Sequence, residues 1–468
     1  MVLINAAKNM DVEETGSINN ENLDAIENEN EEEIVDDSEE RELVVNDSCS
    51  TKVLDATDQP RDSYWVVYLL FYLFGITSLV PWNFLITAND YWMYKFRDVT
   101  PPVNFTMEVR KTQFQAEFTS YLNVATAIPN LIFLILNSLY GHLVSVKSRL
   151  QGSLLVVTLC FLVTTTFVQI DTDEWQNTFF IITMVTVVIM TAASAIFIGG
   201  IVGIASRFSK EYMGAVVSGQ SLGGIIAAIA QIISLAFKIS PLHSALIYFI
   251  IADLMLVTSL IAYIMLYKID FFTYHILRGT GGMAPNRHRE VSMLLVMKKV
   301  WVYAFSIFAV FAISMAVYPA VTVLVESHPV TKGTDWNNIF FVPVVNYLIF
   351  NVGDYSGRLV AGFLLRPLNK WLIAVASVLR VIGVPMLMLC NALPRKNLPV
   401  LFPWDYEYIM IMIVFAFTNG YLTNIIMINA TREVELHERE KASSVIATML
   451  SVGLTVGAAV GMLLVHML

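Results

Sequence analysis

The chain contains eleven apolar runs that are each long enough to cross a lipid bilayer as a helix. Crossing the hydrocarbon core takes about 20 predominantly apolar residues, and 56% of the 468 residues are hydrophobic, with a mean hydropathy of +0.62. That composition is far from a soluble globular domain. The sequence therefore predicts an all-α membrane protein with eleven transmembrane helices, at about 64–89, 117–145, 150–170, 178–206, 213–237, 244–267, 300–325, 338–365, 370–393, 406–430 and 441–467.

Charged residues divide the chain into an acidic tail and a membrane body. Residues 1–62 carry 19 acidic and 4 basic side chains, whereas the rest of the chain carries 20 acidic and 25 basic ones. A segment this polar cannot bury enough apolar surface to fold alone, so we expect a disordered cytosolic tail. Within it, EERELV at 39–44 loosely resembles an acidic dileucine sorting signal.

Basic residues in the connections between spans predict the orientation in the membrane. If the N-terminus is cytosolic, the inner connections hold 15 basic residues and the outer ones hold eight. The positive-inside rule favours this arrangement, and the odd number of spans then places the C-terminus outside the cell. The same orientation exposes the sequon at Asn104 to glycosylation. No signal peptide is expected, because the first long apolar run begins only near Tyr64.

The longest inner connection, 268–298, separates six spans from five. It contains three glycines and Pro285, a composition suited to a flexible linker. We therefore expect an N-terminal bundle at 63–267 and a C-terminal bundle at 299–468 around a central cavity. Two bundles that tilt against each other are the layout of major-facilitator-like carriers.

The span at 338–365 carries two opposite charges near its middle, Asp354 and Arg358. A charge at the membrane centre costs roughly 2.5–3.5 kcal/mol on insertion scales. On a helix with about 100° per residue, Tyr347, Asn351, Asp354 and Arg358 fall within a wedge of roughly 60°, and a GxxxG pair lies on the opposite side. This pattern predicts a polar substrate site that faces an internal cavity, and a structural ion pair is the alternative.

Two prolines mark further candidate positions. Pro81 can kink the first span and direct Trp82 towards the interior. The alternative is that Trp82 belongs to an aromatic belt at the membrane interface. In the seventh span, Tyr318 places an aromatic hydroxyl directly before a proline.

Small and ionisable residues in other spans are further candidate functional residues. Gly219 and Gly224 belong to a ladder of small residues that permits close helix packing, and Gln220 beside them could contact a solute. Asp253 and Arg380 lie at membrane depth, where ionisable residues mark functional sites. We expect a gate or an inter-helix pairing for both.

The sequence excludes several other classes of protein. It has no zinc-binding HExxH motif, no phosphate-binding Walker loop and no GxSxG elbow, so neither an enzyme nor an ATP-driven pump is indicated. The three cysteines, Cys49, Cys160 and Cys390, are far apart and indicate neither disulfides nor a metal site. No basic patch with interleaved aromatic residues indicates nucleic-acid binding. We expect no cofactor.

Six motifs together resemble the equilibrative nucleoside transporter family, in register from the first span to the last. They are PWNFLITANDYW, SGQSLGG, YPAVTV, FNVGDYSGR, GYLTN and SVGLTVGAAVG. The resemblance implies passive, alternating-access movement of nucleosides such as adenosine and uridine through a central cavity, and of nucleobases in some members.

The resemblance also implies roles for particular residues. Asp354 and Arg358 would bind the ribose hydroxyls with support from Asn351, and Gly219 and Gly224 match family glycines linked to transport and helix packing. Ile198 stands where some members have a glutamine that contacts the base, so base selectivity would be looser or shifted. The residues that would form the walls of the cavity are Trp82, Ile86, Tyr318, Tyr347 and Leu454.

Alternatives remain at this stage. A proton-coupled nucleoside carrier or an organic-cation and monoamine carrier of the same fold would fit the same layout, as would a non-transporting receptor or scaffold. We expect a multi-pass protein of the plasma membrane, with an endosomal or lysosomal membrane as the alternative. The oligomeric state is unknown.

Overall fold

The computed structural model describes residues 60–99, 112–279, 292–328, 333–364, 368–393 and 398–468. Within these ranges the regular structure is helical, apart from two isolated β-bridges. The tail up to Gln59, the sequon at Asn104 and residues 280–291 of the linker lie outside the described residues. What the sequence predicts for them stays a prediction.

The described residues contain fourteen α-helices. In chain order they are α1 (Val66–Thr87), α2 (Asn89–Lys95), α3 (Gln113–Tyr140), α4 (Val146–Gln169), α5 (Gln176–Ala205), α6 (Lys210–Ala236), α7 (Pro241–Leu266), α8 (Asp270–Gly279), α9 (Met293–Val317), α10 (Ile349–Leu364), α11 (Lys370–Leu379), α12 (Gly383–Met388), α13 (Asp405–Arg432) and α14 (Arg439–Met467). Two π-helical segments, Trp336–Phe340 and Val342–Leu348, lead into α10, and a 3₁₀ turn at Arg380–Ile382 joins α11 to α12.

Ten helical stretches of the described chain are long and apolar enough to cross a membrane. Each overlaps one of the predicted spans. The remaining predicted span, 338–365, corresponds to α10 and the π-helical turns before it. With 16 residues, α10 alone is about 24 Å long, which is shorter than a hydrocarbon core of about 30 Å. It reaches membrane length only together with those wider turns.

The outer faces of the helices are apolar. Ile181 of α5, Leu254 of α7 and Leu463 of α14 are 61%, 62% and 67% exposed. In water such surfaces would be unfavourable, but against lipid chains they carry no penalty. The exposed apolar faces therefore agree with a protein surrounded by a bilayer.

Glycines bring α1 and α6 into backbone contact. A Cβ atom at Gly219 would lie 2.3 Å from the carbonyl oxygen of Tyr72, and one at Gly75 would lie 2.2 Å from the carbonyl oxygen of Val216. Real Cβ atoms do not approach so closely, so only glycine permits this crossing. The two helices pack along much of their length.

A second glycine crossing joins α10 to α13. A Cβ at Gly357 would lie 2.1 Å from the carbonyl oxygen of Phe417, and one at Gly420 would lie 1.8 Å from the carbonyl oxygen of Asp354. Because α13 covers the glycine side of α10, the polar stripe of α10 turns towards α6, which it also contacts. The two crossings thus determine what surrounds Asp354 and Arg358.

Contacts between the two halves of the chain include α6 with α10, α3 with α14 and α5 with α14. Asn130 of α3 donates a hydrogen bond of 2.9 Å to Ser451 of α14. At the start of α14, Glu440 lies between two arginines. It forms an ion pair with Arg207, and its Oε1 is 3.8 Å from Nη2 of Arg149. Polar contacts therefore cross between the halves at more than one level.

We predict that Gly219→Ala lowers the melting temperature of the purified protein. The added methyl group must push α1 and α6 apart, and overpacking of this kind costs about 1–3 kcal/mol. The matched control is Gly152→Ala on α4, where a Cβ would meet no atom within 4 Å and alanine favours the helix. Equal melting temperatures for the two variants in detergent would contradict the prediction.

Candidate functional site

Asp354 and Arg358, called the charged pair below, lie one turn apart on α10. Oδ2 of Asp354 is 2.9 Å from Nε of Arg358, and the residues are only 4% and 6% exposed. The Nε–H does not point along a hydrogen bond to that oxygen, so the contact is mainly ionic. Burial of both charges requires further polar partners, because desolvation would otherwise exceed their attraction.

Part of this requirement is met by α6. Ser221 donates a hydrogen bond from its hydroxyl to Oδ2 of Asp354. Nη1 of Arg358 donates to the carbonyl oxygen of Val217 at 2.6 Å and to Oε1 of Gln220 at 3.3 Å. The carboxylate thus receives a hydroxyl, and the guanidinium faces amide oxygens. The small residues of SGQSLGG allow α6 to come this close.

The helix behind the pair, α13, supplies two amide side chains. Nδ2 of Asn419 donates to Oδ1 of Asp354 at 2.7 Å, and Nδ2 of Asn424 donates to the backbone carbonyl of Arg358 at 2.6 Å. Both asparagines are buried. The glycine crossing at Gly420 makes these short distances possible.

Arg380 belongs to the same hydrogen-bonded chain. Its Nη2 donates to the hydroxyl of Ser314 at 2.8 Å, and that hydroxyl lies 2.8 Å from Oδ1 of Asn419, whose amide group continues to Asp354. The Arg380 guanidinium is buried over the ring of Phe415, with 4.7 Å between guanidinium carbon and ring centroid. From the sequence we expected Arg380 to act as a gate or an inter-helix pairing away from the polar stripe of α10, whereas the structure connects it to Asp354.

Other predicted site residues lie next to the pair on α10 or close to it. Nδ2 of Asn351 donates to the carbonyl oxygen of Tyr347 at 2.9 Å, and its Oδ1 fills the space over Gly224, where a Cβ would lie 2.1 Å away. The ring of Tyr318 stacks on Phe350 with 3.7 Å between centroids. Asn351 thus fits against α6 at Gly224.

Among the described residues, no hydrogen bond, ion pair or ring contact joins the remaining candidates to the pair. Trp82, Ile86, Ile198 and Leu454 are half-buried on α1, α5 and α14. Asp253 of α7 accepts a hydrogen bond of 2.6 Å from Thr165 of α4, and its other carboxylate oxygen has no partner among the described residues. Asp253 therefore lies in a contact between α4 and α7, separate from the charged pair.

Sequence reasoning missed Ser221, Asn419 and Ser314. Each is an uncharged polar residue inside an apolar span, and such residues are common at helix contacts in membranes. Only Ser221 stands in a motif that was singled out. Their role follows from the rotation of three helices about their axes, which one sequence does not specify.

The fold resembles that of major facilitator superfamily transporters. FucP in the outward conformation superposes with a TM-score of 0.55 at 13% identity, covering 85% of this chain and 95% of that chain. The proton:xylose symporter XylE superposes with a TM-score of 0.55 at 12% identity, covering 84% and 86%. The protein is therefore an all-helical membrane protein with a major-facilitator-like fold.

Sequence similarity is more specific. The family model described as nucleoside transporter matches residues 184–294 and 280–466. Equilibrative nucleoside transporter 1 of Rattus norvegicus is 31% identical over 88% of this chain and 99% of its own length, and that of Homo sapiens is 30% identical over 86% and 98%. Equilibrative nucleoside transporter 2 of Homo sapiens is 30% identical over 87% and 98%. The chain belongs to the equilibrative nucleoside transporter family, which confirms the resemblance, and its relatives are transporters rather than enzymes.

We predict that the charged pair contributes to stability as a unit. Asp354→Leu or Arg358→Leu leaves a buried charge without its main partner, which costs about 3–5 kcal/mol. The double variant removes both charges and is expected to recover part of that loss. Melting temperatures of the four proteins in detergent measure the coupling, and additive losses in the double variant would contradict it.

Proposed function

We propose that this protein is a facilitative carrier that moves nucleosides, such as adenosine and uridine, across a membrane by alternating access. In this proposal the charged pair binds the ribose hydroxyls. The observation that carries it is the set of groups around the pair: a hydroxyl on the carboxylate, and carbonyl oxygens on the guanidinium. A sugar diol can replace these groups, because it donates to one charge and accepts from the other.

The energies are adequate for selective binding. A hydrogen bond to a charged group contributes about 1.5–3 kcal/mol when it forms inside a protein. A neutral diol that binds both charges also leaves no charge without a partner, so the desolvation penalty of an isolated ion is avoided. A ligand without hydroxyl groups could not satisfy this site.

The contacts divide into exchangeable and permanent ones. Ser221 and Val217 lie on α6, in the first half of the chain, whereas Asn419 lies on α13, in the same half as α10. In the proposed cycle α6 withdraws from α10, and the ribose takes over the positions of the Ser221 hydroxyl and the Val217 carbonyl. Asp354 then retains Asn419 and Arg358 throughout.

The proposed architecture has eleven spans in bundles of six and five, with α10 and the π-helical turns before it as the eighth. The N-terminus would be cytosolic and the C-terminus extracellular. In this orientation Glu440, between Arg149 and Arg207, would join α14 to α4 and to the turn after α5 at the cytosolic end. Opening towards the cytosol would require these ion pairs to separate.

The remaining predicted residues complete the proposed cavity. The wall about base and sugar would contain Trp82, Ile86, Tyr318, Tyr347 and Leu454, with Ile198 facing the base. Gln220 would contact the substrate once Arg358 turns towards the sugar. The plasma membrane is the proposed location, with Asn104 available for glycosylation outside the cell.

We predict that Asp354→Ala and Arg358→Ala each abolish uptake of labelled uridine into vesicles reconstituted with the purified protein. Each variant lacks one of the two charges that would bind the ribose. A nucleoside panel, with and without a pH gradient, separates facilitative from proton-coupled transport in the same assay.

The control for these variants is Gly152→Ala, together with the amount of folded protein recovered in the vesicles. Uptake at the normal rate by both alanine variants would contradict the ribose site. Absence of uptake by the unsubstituted protein, across the whole panel, would instead favour a receptor or scaffold.

We also predict that Ser221→Ala lowers the KM for uridine, by about fivefold for a hydrogen bond worth roughly 1 kcal/mol. The alanine cannot occupy the carboxylate, so the substrate no longer displaces a competing hydroxyl. Ser218→Ala, a buried serine on the same helix, is the matched control. A higher KM would mean that Ser221 binds the substrate, and an unchanged KM would mean that its hydroxyl does not compete.

A further inference from the structure

The charged pair is accompanied by a second buried guanidinium, that of Arg380, which is 7% exposed. Within the described residues no carboxylate forms an ion pair with Arg380, and its Nε and Nη1 have no hydrogen-bond acceptor. The chain of hydrogen bonds through Ser314 and Asn419 connects it to the oppositely charged Asp354 carboxylate. One negative and two positive groups therefore share this part of the protein interior, and the cluster carries a net charge of +1.

We propose that Arg380 is a positioning residue that also determines specificity at the sugar. Through Ser314 and Asn419 it holds Asp354 in the orientation that receives a hydroxyl group. Its charge makes the cluster disfavour a sugar that carries an ammonium group in place of a hydroxyl. The proposal rests on the ribose site of the proposed function.

The positioning part follows from the direction of each hydrogen bond. Arg380 can only donate, so the Ser314 hydroxyl must accept from it and turn its own proton elsewhere. That proton has two acceptors, Oδ1 of Asn419 and the carbonyl oxygen of Val310, each at 2.8 Å.

With its oxygen facing Ser314, Asn419 presents its NH₂ group to Asp354 at 2.7 Å. If the amide group rotated by a half turn, its oxygen would face the carboxylate and repel it. The rotation would also break the hydrogen bond that Ser314 donates to Oδ1 of Asn419, and Arg380 strengthens that bond because a hydroxyl that accepts a hydrogen bond is a better donor.

The charge part follows from burial. Asp354 is the only carboxylate that the described contacts place in this chain of hydrogen bonds, and it already pairs with Arg358. Inside a protein the interaction between charges is several times stronger than in water. A second guanidinium close by therefore makes any added positive charge unfavourable, whereas a neutral hydroxyl is unaffected.

The chain of hydrogen bonds persists through the proposed cycle, because every member lies in one half of the protein. Ser314 is on α9, Asp354 on α10, Arg380 in the turn after α11, and Asn419 on α13. None of these contacts involves α6. Arg380 can thus act both before and after the substrate enters.

The test compares Arg380→Gln, Arg380→Lys and Ser314→Ala in reconstituted vesicles. The readouts are the KM and maximal rate for uridine, and competition by a uridine analogue in which an ammonium group replaces the ribose 3′-hydroxyl. Arg97→Gln is the control, because this substitution removes a positive charge outside the site. Arg97 pairs with Asp173, and the two side chains are 33% and 26% exposed.

We expect the preference for uridine over the ammonium analogue to fall roughly tenfold in Arg380→Gln, because one buried charge has been removed. It should stay near the normal value in Arg380→Lys, in Ser314→Ala and in the control. Ser314→Ala should raise the KM for uridine about fivefold, since it breaks the chain and keeps the charge.

An unchanged preference in Arg380→Gln would overturn the specificity role. Variants that lower only the amount of folded protein and the maximal rate, with normal KM, would show a purely structural role and overturn the positioning role. A loss of preference in Arg97→Gln equal to that in Arg380→Gln would mean a general field effect, which also contradicts the proposal. Failure of the ribose site itself would appear differently, as normal uptake in Asp354→Ala.

Discussion

A carboxylate buried inside a helical bundle needs hydrogen-bond donors on every side, and the surroundings of Asp354 meet that need from three directions. Arg358 neutralises it from the same helix, Asn419 donates from α13 and Ser221 donates from α6. Without these partners the charge would cost several kcal/mol. The close approach of the helices, which the glycines allow, is therefore a condition for keeping this charge at all.

In the proposed carrier, the need of the charged pair for polar partners explains why α6 would move only when a substrate is present. If α6 moved away with nothing in its place, Asp354 would lose a donor and Arg358 would lose its acceptors on Val217 and Gln220. In the proposed carrier, a ribose that supplies equivalent groups would lower that cost, so the bundles would rearrange more readily with substrate bound. An energetic preference of this kind can give a carrier without any external energy source.

Hydropathy alone predicted most of the fold, since ten predicted spans overlap helices that could cross a membrane. Hydropathy could not predict that the eighth span, 338–365, divides into π-helical turns and a short α10. Whether a turn is α-helical or π-helical depends on its backbone hydrogen bonds, which do not change how apolar the sequence is. The charged stripe was visible because intramembrane charges are rare. Ser221, Asn419 and the connection to Arg380 were not, since they depend on contacts between residues far apart in the chain.

The glycine crossing of α1 and α6 has a mechanical consequence. Backbones that touch at Gly75 and Gly219 leave no room for one helix to slide while the other stays. Trp82, near the end of α1, would then travel with Ser221 as parts of a single rigid piece. In the proposed cycle, the movement of α6 that opens the charged pair to the ribose would at the same moment move the aromatic surface proposed for the base, so the sites for the two ends of a nucleoside would change together.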